Sequence, residues 1–123
     1  MFNQVTIGGR ITQDLELKST TNGTPVLNFS IAINEKRGEE ERTVFVDITT
    51  WKDVAENTAK YMKKGQPVLV SGRLSQDTWE DHGHSRTKLF VTGERVVFLG
   101  PRVEAELERK APAEKKPRQA RQR

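Results

Sequence analysis

Five runs in which apolar and polar residues alternate, broken once by a segment of helical period, set the limits of what this chain folds into. Val5, Ile7, Gly9 and Ile11 alternate with Gln4, Thr6, Gly8 and Arg10. Leu27, Phe29, Ile31 and Ile33 alternate with Asn28, Ser30, Ala32 and Asn34. Val44, Val46 and Ile48 alternate with Phe45, Asp47 and Thr49, and Val68, Val70, Gly72 and Leu74 with Leu69, Ser71 and Arg73. Period two is the mark of a half-buried strand, because successive side chains point to opposite faces. A fifth strand is expected over 87–99, with Phe90 and the pair Val96-Val97 as its apolar content. Turn residues separate the runs at Asn22-Gly23-Thr24-Pro25, at the charged stretch 35–42, and at Asp81-His82-Gly83-His84-Ser85.

The break falls over 52–64, where Val54, Ala55, Thr58, Ala59 and Met62 share one helical face. Asp53 followed by Glu56 resembles a capping box, Lys60, Lys63 and Lys64 suit the last turn, and Gly65 and Pro67 stop the helix. The order is β-β-β-α-β-β. Five short strands and one helix in about 100 residues is the content of an all-β, five-stranded Greek-key OB-fold barrel, with the α-helix between strands 3 and 4. The expected domain spans 1–103.

Charge is segregated along the 123 residues. Residues 1–100 hold 13 Lys/Arg and 13 Asp/Glu, whereas 101–123 hold 8 Lys/Arg and 4 Glu, so the whole formal +4 lies in the last stretch. From Arg109 onward 7 basic residues face one acid, Glu114, with Pro112 and Pro117 interspersed. Such a composition has too little apolar surface to offset its ordering entropy, and a disordered basic tail is expected over 104–123. Cysteine is absent, which excludes disulfides, thiolate metal sites and thiol nucleophiles. No apolar run approaches a membrane span, and Met1-Phe2-Asn3-Gln4 lacks the pattern of a secretory signal. A cytoplasmic protein that uses no membrane is expected.

The anomaly lies in the third run. With Val44, Val46 and Ile48 facing the core, Phe45 and Trp51 share the opposite, polar face with Asp47 and Thr49. In an unbroken fourth strand Trp79 likewise falls on the non-core face, with Ser71 and Arg73. Three aromatic rings on the outer face of a small barrel are what single-stranded nucleic acid requires, since every base has a π-face to stack. The alternative is that these rings cap the barrel or fill a subunit contact.

At these residues the chain resembles the bacterial-type single-stranded DNA-binding proteins, over roughly residues 2–100. Gly9-Arg10-Ile11-Thr12-Gln13-Asp14 is similar to the family's first-strand segment, with Leu15 where Pro is usual. Phe45 through Trp51 is similar to its third strand, which carries two base-stacking aromatics, and Thr78-Trp79-Glu80-Asp81 resembles its third stacking position. Lys63-Lys64-Gly65-Gln66-Pro67-Val68 and Ser71-Gly72-Arg73-Leu74 complete the likeness. The resemblance implies an OB-fold that assembles as a homotetramer and protects single-stranded DNA in replication, recombination and repair. It implies stacking by Phe45, Trp51 and Trp79. Backbone contacts are expected from Arg10, Lys36, Arg37, Lys52, Lys64, Arg73, Arg86 and Lys88, each with a solvated surface role as its alternative.

Departures from the pattern are equally visible. Glu35-Lys36-Arg37 offers no further stacking ring, Glu39-Glu40-Glu41 makes one hairpin negative, and Asp47 and Asp77 stand where cations would help hold phosphate. The chain finishes Arg121-Gln122-Arg123 in place of the family's acidic tip, so recruitment of repair or replication proteins through such a tip is not expected. Two other functions remain open: a tail-less paralogue specialised for DNA uptake or a mobile element, and an OB-fold protein-interaction module of primosomal type. No metal or cofactor is expected, because His82 and His84 flank Gly83 without a convergent third ligand. No acid–base pair or phosphate-binding glycine loop is present, and the chain reads as a non-enzyme.

Overall fold

The computed structural model describes residues 1–100. Its elements are β1 (Val5–Ile11), β2 (Lys18–Ser19), β3 (Pro25–Arg37), β4 (Glu40–Trp51), α1 (Lys52–Tyr61), β5 (Pro67–Asp81) and β6 (His84–Phe98). The five expected strands and the helix are all there, in the expected order. The two-residue β2, which pairs with β3 through Lys18 and Ser19, is an addition too short to carry a period. The basic tail expected over 104–123 lies outside the described residues.

Strand pairing runs β1-β5-β6-β4-β3, and a β1–β3 contact joins the two ends into a closed barrel. All pairs are antiparallel except β4–β6, which is parallel and short, with Ile48 opposite Val91 and Thr49 opposite Thr92. The inward residues of the alternating runs form the core: Ile11, Leu27, Phe29, Ile31, Ile48, Val68, Val70 and Val91. Each such side chain contributes about 1.5–3 kcal/mol by leaving water. Helix α1 closes one end of the barrel with Ala55, and Met62 just beyond it joins the same cluster. Tyr61 and Phe98 meet in a tilted ring contact 6.3 Å apart.

The helix differs from its sequence expectation at both ends. Trp51, still extended at φ −131° and ψ 153°, is the N-cap and makes no side-chain cap bond, so the capping box at Asp53 and Glu56 does not form. β4 runs straight into α1, which places Asp53 inside the first turn, where its charge faces the positive end of the dipole. At the other end the Met62 N–H bonds to the Thr58 carbonyl and the chain turns extended, leaving Lys63 and Lys64 beyond the helix.

Both long hairpins are more regular than the turn residues suggested. β5 and β6 stay paired out to Asp81 and His84, and the turn shrinks to His82 and Gly83, at φ 52° and 81°. Positive φ at both central residues is the hairpin geometry that matches strand twist. Near the barrel, Glu94 is an extra residue in β6: Ser71 faces Arg95 whereas Gly72 faces Gly93. This bulge bends the ribbon so that β6 pairs with both β5 and β4.

Gly72 sits against that bulge, where a Cβ would overlap the Thr92 carbonyl. Gly72→Ala should therefore destabilise the barrel by about 1–3 kcal/mol in urea unfolding. Gly8→Ala serves as the comparison, since its nearest new neighbour, Leu69 Cδ1, lies at an ordinary 3.4 Å. Equal stability of the two variants would show that the strands do not approach this closely at the bulge.

Candidate nucleic-acid interface

On β4 the outward residues are Phe45, Asp47, Thr49 and Trp51, as the alternation requires. Phe45 is 68% exposed, Trp51 41% and Trp79 46%, whereas core Phe29 is 3% exposed. These three rings do not fill the barrel. Phe45 and Trp51 stand six residues apart on one strand face, roughly 20 Å at the usual strand rise. β5 is unbroken from Pro67 to Asp81 because the bulge is in β6, so Trp79 keeps the parity of Arg73, Ser75 and Asp77. Across the ribbon Trp79 faces Arg86, and Asp77 faces Lys88.

The β4 face and the β5–β6 face meet in an open groove of about 400 Å³, lined by Asn28, Asp47, Thr49, Asp77, Lys88 and Phe90 among others. Its walls are polar and tied across strands. The Thr49 hydroxyl donates to Asn28 Oδ1 at 2.8 Å, and outside the groove's lining Ser75 of β5 and Thr92 of β6 share a hydroxyl–hydroxyl bond of 2.7 Å. Lys88 Nζ reaches Asp47 Oδ2 at 2.7 Å. That hydrogen bond first, then the Asp47 charge, hold the Lys88 ammonium above its ordinary pKa against the opposing effect of desolvation, with the Asp77 charge as the smallest contribution. Of the two carboxylates that looked misplaced for phosphate binding, Asp47 fixes this cation, and Asp77, opposite Lys88 across the ribbon, adds only a weaker attraction.

The other cations are spread around the barrel. Arg86 Nε lies 3.5 Å from Asp81 and Arg73 Nε 3.8 Å from Glu94, both pairs open to solvent. Arg10 donates to the Gly65 carbonyl at 2.9 Å and so secures the turn before β5. Lys36 and Arg37 stand opposite Glu41 and Glu40 near the tip of the β3–β4 hairpin. Lys52 follows Trp51 with a left-handed φ of 56°, and Lys64 is exposed beyond the helix. Of these eight, the groove brings in Lys88.

Sequence reasoning placed Phe90 with the apolar content of its strand, whereas it lines the groove, and its neighbour Val91 is the core residue. The cause is the bulge. Val91 and Gly93 face inward before Glu94, and the partly buried Val96 and Phe98 pack on the core after it, so parity inverts within one strand. Phe90 between Leu89 and Val91 carries no local mark of its side. The hairpin tip keeps His82 3.5 Å from Asp81, and among the described residues no cluster of three or more His, Cys, Asp or Glu is placed to hold a metal ion. No helix among them is long and apolar enough to cross a membrane.

This geometry agrees with comparisons to known proteins. A profile of the Single-strand binding protein family matches residues 2–99. A protein of Treponema pallidum named Single-stranded DNA-binding protein is 40% identical over 102 residues, covering 80% of this chain and 58% of that protein. One of the same name from Halalkalibacterium halodurans is 39% identical over 109 residues, covering 83% and 63%. The chain thus spans about three fifths of the length of these two relatives. A third, from Aquifex aeolicus, is 36% identical over 121 residues, covering 91% and 82%. Among solved structures, a Plasmodium falciparum SSB in complex with ssDNA shares the fold, with a TM-score of 0.74 and 22% identity over 81% of this chain and 96% of that one. With its matched region spanning nearly the whole barrel, the chain belongs to the single-strand binding protein family.

Proposed function

We propose that this chain binds single-stranded DNA without strong sequence preference, protecting it in replication, recombination and repair in the cytoplasm. The observation that carries the reading is the exposure of Phe45, Trp51 and Trp79 on outward strand faces that border one polar groove. Bases stack on such rings whatever their identity, which suits binding without strong sequence preference. We take residues 1–103 as the binding domain and 104–123 as a separate basic segment.

Replacing Phe45, Trp51 or Trp79 by Ala should weaken binding of an unstructured oligonucleotide by about 1–3 kcal/mol, or roughly 5- to 150-fold, with little loss of stability. Because Trp51 and Trp79 are the chain's 2 tryptophans, intrinsic fluorescence reports the contact directly. A loss of stability near the 3–5 kcal/mol of a core aromatic would mean that the ring is packing, and an unquenched titration would favour the protein-interaction reading.

Asp47 tempers the groove, and its removal tests the electrostatic part. Asp47→Asn deletes a negative charge and frees Lys88, so binding should strengthen at low salt and the salt dependence steepen by about 0.7 in log–log slope. The sign for pH follows from the raised pKa. The Lys88–Asp47 attraction is complete below 10.5 and is lost as pH rises through the higher folded value. In Asp47→Asn the Nζ titration, read by NMR, should move back toward 10.5. Unchanged slope and titration would remove Lys88 from the interface.

Assembly as a homotetramer is part of the same proposal. β1 pairs with β5 from Val5 to Arg10, but with β3 only at Arg10 and Ile11. The β3 side of residues 5–8 has no strand partner and is suited to pairing with a symmetry mate. Light scattering on the full chain should give about four times 14.0 kDa. A concentration-independent monomer would rule the assembly out.

A further inference from the structure

The charged side chains that line the groove are Asp47, Asp77 and Lys88, two carboxylates against one ammonium. A phosphate entering it meets an excess of negative charge. A base does not, because it is neutral and carries N–H groups along its edge, and ionised carboxylates only accept hydrogen bonds. Half-buried Phe90 gives the same groove a ring against which a base can lie. The groove therefore suits a base of the strand and not its backbone.

Which base fits is decided by the order of donors and acceptors. Lys88 Nζ lies 2.7 Å from Asp47 Oδ2, so a cationic donor flanks one side of a carboxylate. The Thr49 hydroxyl occupies Asn28 Oδ1, which leaves the Asn28 Nδ2 as a further donor in the lining. The Watson–Crick edge of guanine has the complementary order, an acceptor at O6, then N–H at N1, then N–H at N2. Cytosine and adenine set one amino group beside an acceptor, and thymine sets one N–H between two carbonyls, so none of the three fills both carboxylate oxygens. We infer that the groove is a guanine-reading subsite, in which the base lies against Phe90, the Asp47 carboxylate accepts from N1–H and N2–H, and Lys88 donates to O6. The inference rests on the proposed single-strand binding and adds a preference at one position, while the exposed rings hold the rest of the strand whatever its sequence. Two parallel N–H···O bonds to a charged carboxylate are both strong and geometrically selective. Asp77, opposite Lys88 across the ribbon, adds to the negative balance that turns phosphate away.

The test uses the full chain and a short oligothymidylate whose central base is thymine, adenine, guanine or hypoxanthine, titrated by tryptophan quenching at fixed salt. Because the exposed rings take any base, the strand is free to shift until the central one is seated. The guanine oligonucleotide should bind at least about 5-fold more tightly than those with thymine or adenine, the lower end of what one bidentate contact discriminates. Adenine controls for stacking, since it is a purine without the pair of adjacent donors. Hypoxanthine keeps O6 and N1–H but lacks the 2-amino group, and should lose most of the gain. In Asp47→Asn the guanine advantage should vanish while all four oligonucleotides still bind, and the fold should hold because the Lys88–Asp47 pair is exposed. Equal affinity for the guanine and adenine oligonucleotides would overturn the inference. So would an advantage that hypoxanthine keeps in full, or one that survives in Asp47→Asn. Tight but equal binding of all four strikes the subsite alone and leaves single-strand binding standing, whereas no quenching by any of them would sink the proposed function itself.

Discussion

Two strands that run in the same direction touch over two residue pairs, Ile48 with Val91 and Thr49 with Thr92, and the outer face is organised around that contact. The parallel ladder closes the gap between the β3–β4 hairpin and the β5–β6 ribbon. Inside, it buries Ile48 against Val91. Outside, it sets Thr49 and Asp47 beside Phe90 and Lys88, and makes one groove from residues more than 40 positions apart in the chain. The bulge at Glu94 and the bare Cα of Gly72 serve this contact, since they bend the ribbon as it crosses from β5 toward β4. Without the closure, Phe45 and Trp51 would belong to one surface and Trp79 to another.

In the proposed single-strand binding, recognition divides into two physical parts. Stacking on exposed rings is short-ranged, tolerant of base identity and nearly indifferent to salt. Attraction to phosphate is long-ranged and salt-dependent. On the barrel the second part is muted by carboxylates beside its cations, most tightly at Asp47, whose 2.7 Å contact holds the Lys88 side chain across the strand gap. An ion pair so exposed adds little to stability, so its effect is to orient Lys88 and neutralise its charge within the groove.

Much of this was legible along the chain because strand parity is a local property. Leu27, Phe29, Ile31, Ile48, Val68 and Val70 all face inward as their alternation requires, and Ala55 and Thr58 of the helix are buried as their spacing requires. Phe45, Trp51 and Trp79 stood out by the same rule, as large rings on the wrong parity. Where parity breaks, reading along the chain fails. A single extra residue at Glu94 inverts the faces of β6, so Phe90, grouped along the chain with Val96 and Val97, lines the groove while Val96 packs on the core. The cap of α1 was misread for a related reason: nothing local says that β4 continues to Trp51 with no loop before the helix, which leaves Asp53 one position too far in to cap.

By itself the sequence determined which residues are inside, which three rings are outside, the order of strands and helix, and the segregation of positive charge beyond residue 100. Those follow from periodicity and composition, which need only neighbours in the chain. Tertiary structure decided which strands meet, and therefore that Asp47 holds the Lys88 ammonium, that Phe90 joins the groove, and that β1 has no β3 partner over residues 5–8. The physical reason is that pairing partners, bulge position and barrel closure depend on the twist and packing of the whole sheet, and no window along the chain contains both sides of such a contact.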